Sequence, residues 1–269
     1  MRYVRLLVLA SAALVSGACF QVSTVLSVNT DGSGTIEQRM LFTQAALTQL
    51  RQFSAFGGGG GSQNFDPLSE QQARDAAATL GPGVTYVSST PINTAEGQGR
   101  DIKYAFRDIN QLHIAQTPPA PGGLSVSSSS FGTDAQVAFA LTKQPNGASL
   151  LRVVMPQLPL TPSAGNAAPG RGGNSLPSAD QMALIKPMFA GARMSLAIEP
   201  AGQLIRTSSP YVDGRRVTLV DVNLDSLLAN DALLQRLQSS KSPDETKALL
   251  KDVPGVRLSL DPETTIEFR

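Results

Sequence analysis

Tryptophan is absent from this 269-residue chain, cysteine and histidine occur once each, and aromatic residues make up 5% of it. Each shortage removes a class of chemistry. A single cysteine, Cys19, excludes an intramolecular disulfide. A single imidazole, His113, cannot build a zinc site that needs several nitrogen or sulfur ligands. No Gly-x-Ser-x-Gly elbow accompanies it, so no Ser-His-Asp set is offered, and His113 reads as an ordinary surface or internally satisfied histidine. Charge is scarce as well. Charged residues are 16% of the chain and the formal net charge is +1, so no single-sign field exists to draw in nucleic acid or an anionic membrane.

What the chain does have begins at its first residue. Arg2 and Arg5 form a basic head, Leu6 to Val15 is apolar and uncharged, Ser16-Gly17-Ala18 are small, and Cys19 follows. A basic head with an apolar core of roughly ten residues is too short for a permanent membrane span and reads as a secretory signal peptide over residues 1–18. The cysteine at the cleavage point resembles a bacterial lipoprotein signal, which implies that Cys19 is acylated, palmitate being the typical chain, and becomes the new N-terminus. The family pattern has Leu three residues before the cysteine, where this chain has Ser16. The alternative is an ordinary cleaved signal followed by an incidental cysteine, which would leave an odd free thiol in an oxidising compartment. One acyl chain holds a membrane marginally, whereas two anchor stably. In such lipoproteins Asp after the cysteine implies inner-membrane retention. Phe20 stands there instead, so the resemblance implies an envelope protein on the outer rather than the inner membrane of a Gram-negative host.

Removing residues 1–18 leaves 251 residues with a formal charge of −1. That is enough chain for one large domain or two small ones. With 24 Gly and 18 Pro, long loops between ordered elements are expected. Gln21–Asn29 and Thr35–Phe42 alternate around Asp31-Gly32-Ser33-Gly34, a hairpin signal. Ala46, Leu47, Leu50 and Phe53 have helical spacing, and Gly57–Gly61 then opens a loop. Ser69 with Gln72 caps a helix that stops at Gly81-Pro82-Gly83. Strands over 84–90 and 100–106 flank a connection over 92–99, and 108–113 reads as a helical turn. Residues 117–133 look like an insertion, and 136–143 with 149–155 form a second hairpin. Residues 157–177 read as a linker between lobes 19–156 and 178–269, which form either two domains or one. Beyond it come a helix capped by Ser178 and Gln181 and carrying Met182, Ile185, Met188 and Phe189, then strands over 193–199, 203–208 and 216–223. A helix over 225–237, a helix capped by Ser242 with Glu245, and strands over 256–260 and 264–268 close the chain.

One echo links the two lobes. In each, a strand pair is followed by helical sequence, a Ser cap (Ser69, Ser242), a Pro-Gly stop (Pro82-Gly83, Pro254-Gly255) and a strand starting at Val84 or Val256. A duplicated ββαββ unit is one reading, and common helix punctuation is the other.

Several constellations imitate sites. Asn29, Asp31 and Ser33 with Gly34 follow the opening of an EF-hand calcium loop. The twelfth position, which needs a bidentate Glu, is Met40, and the flanks are strand-like where helices are required, so a tight turn is expected and no metal site. Gly57–Gly61 lacks the Lys-Ser/Thr of a phosphate loop. Gly97-Gln98-Gly99 lacks the third glycine of a dinucleotide fingerprint, and both read as loops. Asp101, Asp108, Asp213 and Asp221 lie beside basic residues or at turns, and nothing singles out a pair for acid–base work.

Cys19, the Asp31–Gly34 hairpin, Ala197–Gly202, Tyr211-Val212-Asp213-Gly214 and Val217-Thr218-Leu219 together resemble bacterial lipoproteins of the LppM type. The resemblance implies an α+β domain at the cell surface, with a link to lipid head-group binding, and transfers no site residue. Relatives of that type often carry a C-terminal membrane helix. The residues up to Arg269 show no apolar tail, so that feature is not expected to carry over.

The sequence therefore predicts an α+β protein with antiparallel sheet, helices packed on one face and long Gly/Pro/Ser-rich loops. Its expected role is a lipid-anchored, non-enzymatic binding or structural module of the cell envelope, for a lipid or a partner envelope protein. No cofactor, catalytic residue or nucleic-acid partner is expected. The alternative is an envelope enzyme built on carboxylates.

Overall fold

The computed structural model describes residues 20–44, 46–48, 69–115, 136–155, 191–240, 242–259 and 261–269. Cys19, the Gly57–Gly61 run, the 117–133 insertion, the 157–177 linker and the helix expected at Ser178 lie outside the described residues.

The first hairpin forms where the alternation placed it. Strand β1 (Phe20–Val28) pairs antiparallel with β2 (Gly34–Phe42), in register from Phe20↔Phe42 to Val28↔Gly34. Gly32 takes φ 90° in the turn, a conformation that costs glycine no Cβ clash. Helix α1 (Glu70–Ala76) begins at the Ser69 cap, and a 3₁₀ turn over Ala77–Leu80 extends it to the Gly81 stop. Strands β3 (Thr85–Asn93) and β4 (Gln98–Phe106) follow. They run longer than their sequence signals, and the connection shrinks to Thr94–Gly97. Gly99, expected in a loop, is inside β4 and pairs with Leu41.

The remaining strands are β5 (Ile114–Ala115), β6 (Gln136–Lys143), β7 (Ser149–Val154), β8 (Arg193–Pro200), β9 (Leu204–Thr207), β10 (Val212–Asp213), β11 (Arg216–Asn223), β12 (Val256–Leu258) and β13 (Glu263–Phe268). Helices α2 (Leu224–Leu228), α3 (Asp231–Ser239) and α4 (Pro243–Lys251) lie between β11 and β12. The single helix expected over 225–237 is thus two, because Asn230 accepts the Leu233 N–H at 2.9 Å and restarts the helix.

Two sheets result. The larger has the order β10-β11-β8-β1-β2-β4-β3, with β12 also on β11, and the smaller runs β5-β6-β7-β13-β9. Among the described residues β1–β8 is the one parallel pair. β1 with β8 and β7 with β13 each join a strand from residues 19–156 to one from residues 178–269.

Alternation makes the larger sheet two-faced. Leu26, Val28, Ile36, Ile102, Tyr104, Phe106 and Ile198 are buried on one side. The other carries Ser23 hydrogen-bonded to Ser195, and ion pairs Arg39–Asp101, Lys103–Glu37 and Arg193–Asp221. These exposed pairs fix register more than they stabilise.

The α+β expectation holds, with an addition. The buried face is covered by helices and by the smaller sheet together, since Val137, Phe139, Leu151, Val153, Ile266 and Phe268 share one apolar cluster with Leu26, Ile36 and Tyr104. Helix α1 contributes Ala73 and Ala77 to the cluster, and α4 contributes Leu250. The Tyr104 hydroxyl donates to the Ala73 carbonyl at 2.9 Å, and burial pushes its pKa up to about 12.

Strand order corrects the duplicated-unit reading. In the first half the order is β1-β2-β4-β3, so the last strand lies inside. In the second, β12 sits directly on β11 and β13 leaves for the other sheet. The repeated Ser caps and Pro-Gly stops are shared punctuation.

Those caps do form. Ser69 accepts the Gln72 N–H at 3.4 Å, and Ser242 accepts the Glu245 N–H at 3.2 Å with Pro243 opening α4. Ser242→Ala is expected to cost about 1 kcal/mol. That should lower the urea midpoint at unchanged slope, and Ser242→Asp should restore most of it.

Candidate functional site

The Asn29–Ser33 turn is the sequence-predicted constellation that the structure describes in full. The Asp31 carboxylate accepts both the Ser33 N–H (2.9 Å) and the Ser33 hydroxyl (2.7 Å), and Asn29 donates its amide to that hydroxyl at 3.0 Å. The two bonds from Ser33 hold the Asp31 carboxyl below its ordinary range. Its Oδ1 and the Asn29 amide are thus engaged in closing the turn, as in an Asx turn.

Beside that turn lies a cleft of about 230 Å³, lined by Ser27, Asn29, Ser33, Gly34, Thr35 and Phe106. A second, of about 100 Å³, is lined by Pro210, Tyr211, Lys247, Leu250, Leu258 and Asp261, among others. Both fall below the roughly 300–1,000 Å³ of ordinary small-molecule pockets. The first offers hydroxyls and an amide without a charged group, and the second is crossed by the Lys247–Asp261 ion pair, which raises the lysine pKa.

His113 is exposed, and its backbone N–H donates to the Leu80 carbonyl at 2.8 Å. Of the carboxylates weighed in the sequence, Asp101 pairs with Arg39 and Asp221 with Arg193, each through two bonds, at 2.7 and 2.9 Å respectively. Asp108 caps the 3₁₀ turn over Ile109–Gln111, and Asp213 stands exposed at the tip of a hairpin. They are dispersed over the fold. Among the described residues Glu267 is the buried acid, at 5% exposure, and it is held by Arg206 (2.5 Å) and Asn146 (3.3 Å).

A grouping that sequence reading missed ties α1 to the sheet. Glu70 accepts from Arg74 (2.5 Å) and from the Tyr86 hydroxyl (3.0 Å), and it faces Arg100 at 3.7 Å. Arg74 stacks over the Tyr86 ring at 4.4 Å, and Arg100, 9% exposed, donates to Ser89 at 2.5 Å. Its members come from three elements, so no local spacing announces it.

The comparisons with known proteins give little beyond this geometry. No protein-family model matches the sequence, and no curated protein matches it. Among solved structures, the NMR structure of the folded domain of Mycobacterium tuberculosis LppM is similar over 77% of this chain and 84% of that one, at 12% identity and a TM-score of 0.31. A likeness at that level carries no argument about fold or activity.

The paired carboxyls give a signed pH dependence. Arg206, then Asn146, hold Glu267 below the ordinary glutamate range, and Arg74, then Tyr86, do the same for Glu70. A carboxyl depressed by folding contributes stability that is complete above its unfolded pKa, about 4.3, and is lost as pH falls through the folded value. The melting temperature is therefore expected to drop on acidification below about pH 4.3, more shallowly in Glu267→Gln. An equal drop in that variant would remove Glu267 from the account.

Proposed function

We propose that this chain is a lipid-anchored protein of the bacterial cell envelope, acting as a non-enzymatic binding or structural module. The observation that carries the reading is the order of Met1–Cys19: basic head, apolar core, small residues, then the chain's one cysteine. Acylation of Cys19 supplies the hold on a membrane, and Phe20 after it favours the outer membrane in a Gram-negative host.

Two features of the fold favour a partner envelope protein over a carried lipid. Sheets and helices close on one continuous apolar cluster, and the clefts beside Asn29–Ser33 and Tyr211 are small and partly polar. The open face of the larger sheet is polar and charged, suited to a wet contact. The dispersed, arginine-paired carboxylates favour a module over an enzyme.

Fractionation tests the anchor. Cys19→Ser is expected to move the protein from the membrane pellet to the soluble envelope fraction, and retention in the pellet would contradict it. For the ligand, delipidated protein incubated with envelope lipids should yield none by mass spectrometry, while cross-linking should recover an envelope protein. A retained lipid would shift the reading to lipid binding.

A further inference from the structure

Cys19 and Phe20 are neighbours, and Phe20 is the first residue of β1. An anchor on Cys19 therefore joins the fold without a linker, because consecutive Cα atoms are about 3.8 Å apart. Nor is β1 free to swing. It lies inside the eight-stranded sheet, paired with β2 from Phe20 to Val28 and with β8 from Gln21 to Val28.

We infer that the acylated protein stands on the bilayer with the Phe20 end of the larger sheet against the lipid and the Asn29–Ser33 end directed away from it. This deepens the proposed function, resting on the acylation of Cys19, and adds a direction to it. Pairing assigns each turn to an end. The near end holds the Phe20–Phe42 pair, the Thr94–Gly97 turn with Glu96 as its carboxylate, and the entry into β8 at Arg193. The far end holds Asn29–Ser33, the turn after Pro200, and the Asp213-Gly214 tip beside Arg216. Eight steps of about 3.3 Å put the two ends of β1 and β4 roughly 26 Å apart. The Ser27–Asn29–Ser33–Thr35 cleft then lies at the end away from the membrane, within reach of a partner in the aqueous layer.

The test uses the full-length acylated chain in phosphatidylethanolamine–phosphatidylglycerol vesicles containing a lipid with a headgroup nitroxide. A thiol-reactive dye is placed through Ala95→Cys at the near turn or Asp213→Cys at the far tip, both exposed positions. The Cys19 thioether does not react. The Ala95→Cys dye is expected to be quenched at least twofold more than the Asp213→Cys dye. A ten-residue Gly-Ser insert between Cys19 and Phe20 should erase most of that difference. Equal or reversed quenching in vesicle-bound protein would overturn the orientation and leave acylation standing. A difference that survives the insert would overturn the role of the short tether. Protein that does not bind the vesicles and shows no quenching at either position would overturn both.

Discussion

Phe268→Ala is expected to remove about 3–5 kcal/mol of stability, the usual cost of truncating a fully buried aromatic ring. Phe268 is 0% exposed although it is the penultimate residue of the sequence. It stands in β13, between β7 (Phe268↔Ser149) and β9 (Phe268↔Leu204), and belongs to the cluster that joins both sheets. Removing the ring leaves a cavity where the smaller sheet meets the buried face of the larger one, and close-packed neighbours refill such a space only partly. Against a typical total of about 5–15 kcal/mol, that loss would unfold a large fraction of molecules at modest urea. Val87→Ala serves as the control, because Val87 is 52% exposed and should stay within about 0.5 kcal/mol of the parent. If Phe268→Ala cost less than about 1 kcal/mol, the two sheets would not share one core.

The second large effect is at Gly99. A Cβ there would come 1.9 Å from the Met40 carbonyl oxygen and 2.9 Å from the Leu41 Cα. Both are backbone atoms of β2, so no side-chain rotation relieves the clash. Gly99→Ala is expected to reach or exceed the upper end of the roughly 1–3 kcal/mol that overpacking costs, and to raise amide hydrogen exchange along β2 and β4. Gly147→Ala separates this steric effect from a conformational one. Gly147 has φ 80° and nothing within 4 Å of an added Cβ, so only the left-handed penalty of about 1–2 kcal/mol applies. A Gly99 variant no worse than the Gly147 variant would contradict the close approach of β2 and β4.

Gly99 also marks where sequence reading stops. With Gly97 two residues before it, the stretch reads as a loop, because its reason for being glycine lies on a strand more than fifty residues away. Local chemistry was legible: the Asp31-Gly32 turn closes its own bonds, and the Ser69 and Ser242 caps are made by residues three apart. Pairing across the chain was not. Nothing in the local alternation of β1 or β8 says that they lie parallel, and β13 carries no mark sending it to the second sheet. The Glu70–Arg74–Tyr86–Arg100 grouping was hidden for the same reason. The strands on either side of Asn29–Ser33 were legible too, because the alternation of both flanks is local, and they pair as a hairpin. At the other extreme, Cys19 drew its meaning wholly from sequence, through the charge and apolar length of the residues before it.

The mass of the N-terminal peptide tests the central claim most directly. Protein extracted from envelope membranes and digested should yield a peptide that begins at Cys19 and carries the added mass of a thioether-linked diacylglyceryl group, with or without a third acyl chain on the amine. An unmodified peptide that runs through Cys19, or one that begins elsewhere with a free thiol, would contradict it.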